Sequence, residues 1–325
     1  MRKHVLVTGG AGFIGSHLVD ALILRGFEVT ILDIAAKADR DYVNPGAKYL
    51  QADLTKRETI EMVKLLNPDI IYHFAANASV AKSVADPVMD YDINYAATVR
   101  LLEVAATIGV ERFIFSSTGG ALSSEYTTIP TAEIAASKPL SPYAMHKLAS
   151  EQMGEFYRLN RGVPFVALRF ANVYGPRQTS TCGEANVTAT FAARMVANQE
   201  TMINGAGRQT RDYVYVSDVI RACILLLDAD TANGPYNVGS GIELDVLTIH
   251  RVMSKYSGYT QKPTIRPPQA GEPMRSCLDI AKISDQLGWM PQVSFAQGIA
   301  RTIDWHQSRV SQPAEAATHI AQLAN

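Results

Sequence analysis

A tyrosine and a lysine four residues apart, Tyr143-Ala-Met-His-Lys147, follow Ser141-Pro142. Serine then proline is the pattern of a helix N-cap and first helical residue, so positions 143 and 147 are predicted one turn apart on one face. An ammonium placed there favours the ionised form of the phenol, drawing a pKa of about 10 towards neutrality. A phenolate accepts a hydroxyl proton while hydride leaves the same carbon, which a free phenol does not do. The same spacing also describes a half-buried aromatic beside a solvated charge. What favours chemistry is Ser116-Ser117-Thr118-Gly119-Gly120, a polar turn expected directly after a strand running beside the first strand of the chain. A hydroxyl there can hydrogen-bond the reacting oxygen, although an ordinary polar turn has the same composition.

The nucleotide signal is Thr8-Gly9-Gly10-Ala11-Gly12-Phe13-Ile14-Gly15, between a predicted strand and a predicted helix. Glycines suit a tight turn whose backbone approaches a pyrophosphate with no Cβ in the way. The helix behind them offers free N–H groups and the positive end of its dipole. Asp33 ends the second predicted strand, 18 residues after Gly15, where a carboxylate accepts from the adenosine ribose hydroxyls. That charge repels a 2′-phosphate and favours NAD over NADP. Asp53, after the next strand, reaches the adenine edge or caps a helix; both readings stand.

These residues need a scaffold. Strands are predicted over residues 4–8, 28–33, 48–50, 70–74, 112–116 and 165–170, with helices over 15–25, 59–66, 95–108 and 142–160. Strands interleaved with helices imply βαβ units and a parallel sheet covered on both faces. After Asn172 the rhythm breaks: a loop over 176–207 holds one helix near 187–198, then strand and helix return over 214–228, with a further strand over 235–238. Residues 263–273 contain four prolines and read as extended or looping. The tail past Arg309 is either helix or frayed. The fold class is therefore α/β: a Rossmann-type doubly wound parallel sheet with a smaller C-terminal substrate-binding lobe. The dinucleotide domain takes residues 1–172 with 213–240 folding back, and the lobe takes 173–212 and 241–325.

Composition narrows the partners. Nearly half of the 325 residues are apolar (47%), so a large core can be buried. Thirty basic against 31 acidic residues give a net charge of −1, which offers no field for nucleic acid or an anionic membrane. Cys182, Cys223 and Cys277 are odd in number and far apart, fitting free thiols in a reducing compartment rather than disulfides or zinc. The N-terminus runs straight into a strand, and no apolar run reaches the roughly 18 residues of a membrane span. A cytoplasmic protein without a metal is expected.

Taken in order, the motifs resemble the extended short-chain dehydrogenase/reductases, and within them the NAD-dependent sugar-nucleotide epimerases, most of all the UDP-glucose (UDP-galactose) 4-epimerases. The resemblance covers about residues 1–305. Its further motifs are Ala52-Asp53-Leu54, His73-Phe-Ala-Ala76, Asp92-Ile-Asn94, Arg169-Phe-Ala-Asn172-Val-Tyr-Gly-Pro176, Arg211-Asp-Tyr-Val-Tyr-Val-Ser-Asp218, and Leu287-Gly-Trp289 with Pro291. It implies Thr118, Tyr143 and Lys147 as the catalytic set. It implies Gly9, Gly12, Phe13, Ile14, Gly15, Asp33, Asp53, Leu54, Phe74, Ala75, Ala76 and Phe170, with Tyr143 and Lys147, around NAD. It implies Ser79, Asn172, Asn186, Arg211 and Glu272, with Thr118 and Tyr143, around a UDP-hexose. Arginine suits a diphosphate because its planar fork grips two oxygens; the plain alternative for Arg211 is a surface pair with Asp212. A homodimer through the helices at 95–108 and 142–160 is implied as well.

The subgroup reading rests partly on what is missing. Dehydratases of this group carry an acidic pair directly after the catalytic threonine, and decarboxylases a nearby glutamate; here Gly119 and Gly120 stand there. The simplest chemistry left is reversible oxidation at the sugar C4, with UDP-glucuronate epimerisation, decarboxylation, dehydration or reduction as rivals and a silent NAD sensor further off. The chain departs from the pattern at Ser123-Ser124 and at Gln269, for which Arg266 or Arg275 are candidate replacements. Ser276 stands where some epimerases carry a bulky tyrosine, which implies room for an N-acetyl group.

Overall fold

The computed structural model describes residues 2–36, 41–122, 128–179, 187–229, 232–267 and 274–310. Alternating βαβ units build the first half: β1 (His4–Thr8), α1 (Phe13–Leu24), β2 (Glu28–Asp33), β3 (Lys48–Gln51), α2 (Arg57–Leu66) and β4 (Ile70–His73). Two short helices follow, α3 (Val80–Ala85) and α4 (Pro87–Tyr91), then a π-helical turn (Asp92–Ala96) leading into α5 (Ala97–Ile108). The unit closes with β5 (Arg112–Thr118), α6 (Pro142–Arg161) and β6 (Phe165–Phe170).

Seven strands pair in parallel in the order β10-β6-β5-β4-β1-β2-β3, where β10 is Gly234–Val238. Along β1 the pleat sends Val5 and Val7 into one core and Leu6 into the other, the period-two alternation of a sheet buried on both faces. The first core takes Leu18, Val19 and Leu22 of α1; the second takes Val63 of α2 and Leu101, Leu102 and Ala105 of α5. Strand order reverses between β1 and β4, and a crevice opens there at the carboxyl ends, where ligands of doubly wound sheets bind.

The remaining elements are β7 (Asn172–Tyr174), α7 (Val187–Val196), β8 (Met202–Asn204), β9 (Thr210–Tyr215) and α8 (Val216–Leu225). After β10 come β11 (Glu243–Asp245), α9 (Val246–Ser257), β12 (Thr264–Arg266), α10 (Ala281–Leu287) and α11 (Phe295–Val310). A three-stranded sheet orders β11-β9-β7, and β12 pairs with β8. Helices α7, α9 and α11 pack on one another, and α8 lies against α1. Trp289, fully buried, donates its indole N–H to the Asp218 carbonyl at 3.0 Å and ties the C-terminal segment to α8.

Three expectations change. The strand carrying Ser116 and Ser117 is not beside β1, because β4 lies between them. That strand also runs on to Thr118, since Ser117 and Thr118 find ladder partners in Arg169 and Phe170 of β6; the turn proper begins at Gly119. Within the proline-rich segment, residues 264–266 form β12, while 268–273 lie outside the described residues, as do 123–127, 180–186 and the tail from 311. Among the described residues, no helix is long and apolar enough to cross a membrane, and no group of three or more His, Cys, Asp or Glu could hold a metal.

Candidate active site

The crevice at the strand ends is a cleft of ≈ 960 Å³, at the upper end for small-molecule sites. Its first wall is the glycine turn. Gly9 has φ +68°, its N–H donates to the Leu32 carbonyl at 2.8 Å, and Gly12 N–H returns to the Gly9 carbonyl at 3.0 Å. A Cβ on Gly15 would stand 2.2 Å from the Gly9 oxygen, and one on Gly9 would stand 2.6 Å from Ala75 N. Helix α1 opens at Phe13 with no side-chain cap on its first N–H groups, which leaves them for an anion. Asp33 backs the turn: Oδ2 accepts from Ala11 N–H and Oδ1 from Ala35 N–H, each at 3.0 Å. Held this way, its carboxylate still faces the cleft with lone pairs to offer hydroxyl donors. The uncapped helix, the glycine cradle and the fixed acid fit a dinucleotide.

The floor comes from β4, β5 and α6. Ser141 Oγ accepts the Ala144 N–H at 3.2 Å with Pro142 as first helical residue, so Tyr143 and Lys147 share a face as predicted. Lys147 is 2% exposed, and its ammonium donates to the Ser116 carbonyl at 2.8 Å and lies 4.7 Å from the centre of the Phe115 ring. Thr118 enters from the end of β5 with its Oγ accepting the Ala121 N–H at 3.2 Å. Beneath them His73 sits between the hydroxyls of Thr8 and Thr98, at 2.7 and 3.0 Å. Burial, with the Lys147 charge adding to it, holds the imidazole down at about 3, so it is neutral in the working range.

Behind Ser117 lies a buried ion pair. Arg169 grips Glu151 with Nη2 on Oε2 at 2.7 Å and Nε on Oε1 at 3.0 Å, and Ser117 Oγ also donates to Oε1. Glu151 is one turn beyond Lys147, so α6, β5 and β6 meet at this carboxylate. The π-helical turn does a similar job for the loop after β4. It frees the Asn94 carbonyl for Ser150 Oγ and Thr98 Oγ at 2.9 Å, while the Asn94 amide holds Asn77 from both sides.

Of the expected site residues, Gly9, Gly12, Phe13, Ile14, Gly15, Asp33, Asp53, Leu54, Phe74, Ala75, Ala76, Thr118, Tyr143, Lys147, Phe170, Asn172 and Arg211 all line this one cleft. Phe74 and Phe170 stack at 6.0 Å between ring centres. Asp53 does not cap α2: Lys56 is the N-cap, and Asp53 Oδ1 braces Thr55 N–H and Oγ at 2.9 and 2.8 Å. Ser79 lies outside the lining; buried between Ala78 and Val80, it caps α3 by accepting the Lys82 N–H at 3.2 Å. Asn186 and Glu272, with Cys182, Ser123, Ser124 and Gln269, fall outside the described residues. Arg211 turns to the cleft while Asp212 is buried, its carboxylate taken by Ser240, Gly241 and Leu278. Arg275 pairs with Glu243 at 2.5 Å, and neither it nor Arg266 reaches the lining. Lining residues that no motif announced include Tyr42, Asn77, Lys82, Lys138, Arg177 and Gln178; they sit in loops or short helices, where periodicity is silent.

A Rossmann sheet with a glycine turn and a Thr-Tyr-Lys set in one cleft defines a nucleotide-dependent enzyme of the extended short-chain dehydrogenase/reductase class. The chain belongs to the NAD dependent epimerase/dehydratase family, which it matches over residues 5–239. It is 36% identical over 309 residues to a UDP-glucose 4-epimerase of Mycolicibacterium smegmatis, covering 94% of this chain and 98% of that protein. The structure of a Thermotoga maritima UDP-glucose 4-epimerase with UDP-glucose superposes with a TM-score of 0.91 at 38% identity, covering 94% of this chain and 99% of that one. A Thermus thermophilus UDP-glucose 4-epimerase with NAD gives 0.84 at 37%, with the same coverage.

Proposed function

We propose that this chain is an NAD-dependent UDP-hexose 4-epimerase, interconverting UDP-glucose and UDP-galactose through a transient 4-keto sugar. The observation that carries this is the buried Lys147 ammonium, fixed on the Ser116 carbonyl one helical turn from Tyr143, with Thr118 in the same cleft.

Tyr143, as phenolate, takes the proton of the sugar 4-hydroxyl while Thr118 donates a hydrogen bond to that oxygen. Lys147 stabilises the phenolate by its charge. Bound NAD supplies a reversible two-electron acceptor for C4. After the keto sugar has turned its other face inward, Tyr143 gives the proton back to the oxygen and the C4 epimer leaves. No oxidant is consumed, so the protein needs only to hold its cofactor. Gly9, Gly12, Phe13, Ile14 and Gly15 cradle its diphosphate and Asp33 its adenosine ribose, while Arg211 and Asn172 grip the UDP diphosphate. Gly119 supports epimerisation over dehydration, because a Cβ there would lie 2.4 Å from Leu278, leaving no room for an acid without moving that side chain.

A second reading extends the substrate. A Cβ on Gly120 would meet Asn172 and Ser276 only at 3.9 Å, so the lining is not crowded at this point, which supports testing an N-acetyl sugar, although Ser276 itself is buried outside the lining. The lysines at 82 and 138 on the lining keep UDP-glucuronate in the test. The domain division of residues 1–172 with 213–240 from 173–212 with 241–325 is supported by β10 joining the large sheet and α8 packing on α1. Pairing with a second copy is supported by the exposed Met145, Phe156 and Leu159 on α6, and a reducing cytoplasm by the free thiols of Cys223 and Cys277.

The test is to incubate the protein with UDP-glucose, UDP-N-acetylglucosamine and UDP-glucuronate, adding no cofactor. A C4 epimer of unchanged mass is expected from the first, and loss of water or carbon dioxide would overturn the reading. Tyr143→Phe should nearly abolish turnover while leaving NAD bound; retained turnover would remove the proposed base.

A further inference from the structure

The turn after β7 combines an unusual backbone with two unmet buried polar atoms. Gly175 has φ +152° and Arg177 φ +70°, the latter a left-handed backbone that costs a non-glycine residue strain. Arg177 Nη1 and Gln178 Oε1 are both buried without a hydrogen-bond partner, two of only three such atoms among the described residues. Unmet buried donors and acceptors are uncommon and costly. Both residues line the cleft.

Three contacts place the Arg177 guanidinium beside the glycine turn. Nη2 binds Asp20 of α1 at 2.7 Å. His17 of α1 meets the Pro176 carbonyl at 2.9 Å. The guanidinium carbon lies 5.4 Å from the centre of the Tyr42 ring, and the Tyr42 hydroxyl reaches the Ala11 carbonyl at 3.4 Å. The other cations on the lining are elsewhere: Lys82 on α3, Lys138 ahead of α6, Lys147 on the Ser116 carbonyl and Arg211 on β9. A dinucleotide diphosphate brings two negative charges, while a helix N-terminus offers about half a positive one. Asp33 and Asp20 add negative charge on that side.

We infer that Arg177 is a cofactor-binding residue, anchored by Asp20 through one arm of its fork and donating the free Nη1 to the diphosphate of NAD after a small swing into the cleft it borders. Tyr42 packs on the guanidinium and keeps it at the groove. This rests on the NAD-dependent reading above. Its role is retention: an enzyme that regenerates its cofactor in each turnover gains from holding it, and a charge-assisted bond to the diphosphate slows escape.

The test is the rate at which holoenzyme releases NAD into an excess of labelled NAD, which needs no turnover and so stands apart from the epimerase assay. Arg177→Gln should release NAD about ten- to a hundredfold faster, the range of one lost charge-assisted bond. Arg177→Lys, which keeps the charge but not the fork, should fall between. UDP affinity of both holoenzymes should match the parent within about twofold, since this contact is not to the substrate. Unchanged release would overturn the inference. A parallel loss of UDP affinity would overturn it too, because Arg177 would then shape the cleft as a whole or serve the substrate.

Discussion

The glycine turn after β1 is closed at single-atom tolerance. With 2.2 Å between a Gly15 Cβ and the Gly9 oxygen, and 2.9 Å to Gly10 Cα, any side chain at residue 15 must push backbone. Gly15→Ala should therefore open the turn and weaken NAD retention at least tenfold, read as the NAD content of purified protein; full occupancy would show that the turn yields. Lys147→Met keeps the length and removes the ammonium, leaving the Ser116 carbonyl without this donor and the phenolate proposed at Tyr143 without its counter-charge. The expected fall in kcat is about 100-fold or more, recovered in part at high pH where the phenol ionises unaided. At this scale the sequence was legible wherever chemistry depends on local spacing: the 143/147 pair, the glycine turn and Asp33. It was silent where a partner is remote. Nothing near Lys147 in the chain announces Ser116, and nothing near Arg177 announces Asp20, which lies 157 residues away.

At the scale of elements the weak point to probe is the seam where α6 meets β5 and β6. Arg169 and Glu151 are nine-tenths buried, with side-chain exposures of 10% and 7%. Removing one member leaves the other as an uncompensated buried charge. Glu151→Ala should cost about 3–5 kcal/mol, and Glu151→Leu combined with Arg169→Met should recover most of it, as followed by urea denaturation. Additive losses would mean that the pair is not the unit. Because Glu151 also takes the Ser117 hydroxyl, the end of β5 should loosen and kcat should fall further than stability alone explains. Which strands lie side by side at this seam was not legible: β/α alternation is a local rhythm, whereas placing β4 between β1 and β5 depends on the whole sheet. The π-helical turn at 92–96 and the pairing of β7, β9 and β11 escaped for the same reason, being set by tertiary contacts such as the grip of Asn94 on Asn77.

For the molecule as a whole, pH tests how deeply the histidines are built in. Burial lowers His73 to about 3 and His306 to about 4, and lowers His17 and His250 as well. These side chains sit on different elements, β4, α11, α1 and α9, so their protonation bears on the entire fold. In the unfolded chain each takes a proton near 6.5. Between that value and the folded one the unfolded state binds more protons, so stability is fully present above about 6.5 and falls with acidification. Asp212, raised by burial, acts in the opposite sense, since it takes its proton in the folded protein before it does in the unfolded chain, while Glu103, Glu155 and Glu243, held low by hydrogen bonds, add to the loss only as the carboxylate range is reached. From pH 7.5 to 5.0 the histidines dominate. His73 and His306 alone should remove about 4 kcal/mol from a total that for a domain is about 5–15 kcal/mol. Denaturant titrations at the two pH values measure this directly, and a double His73→Gln, His306→Gln variant should lose much of the slope even if its absolute stability is lower. A flat profile between those pH values would mean that water reaches these rings in the folded protein.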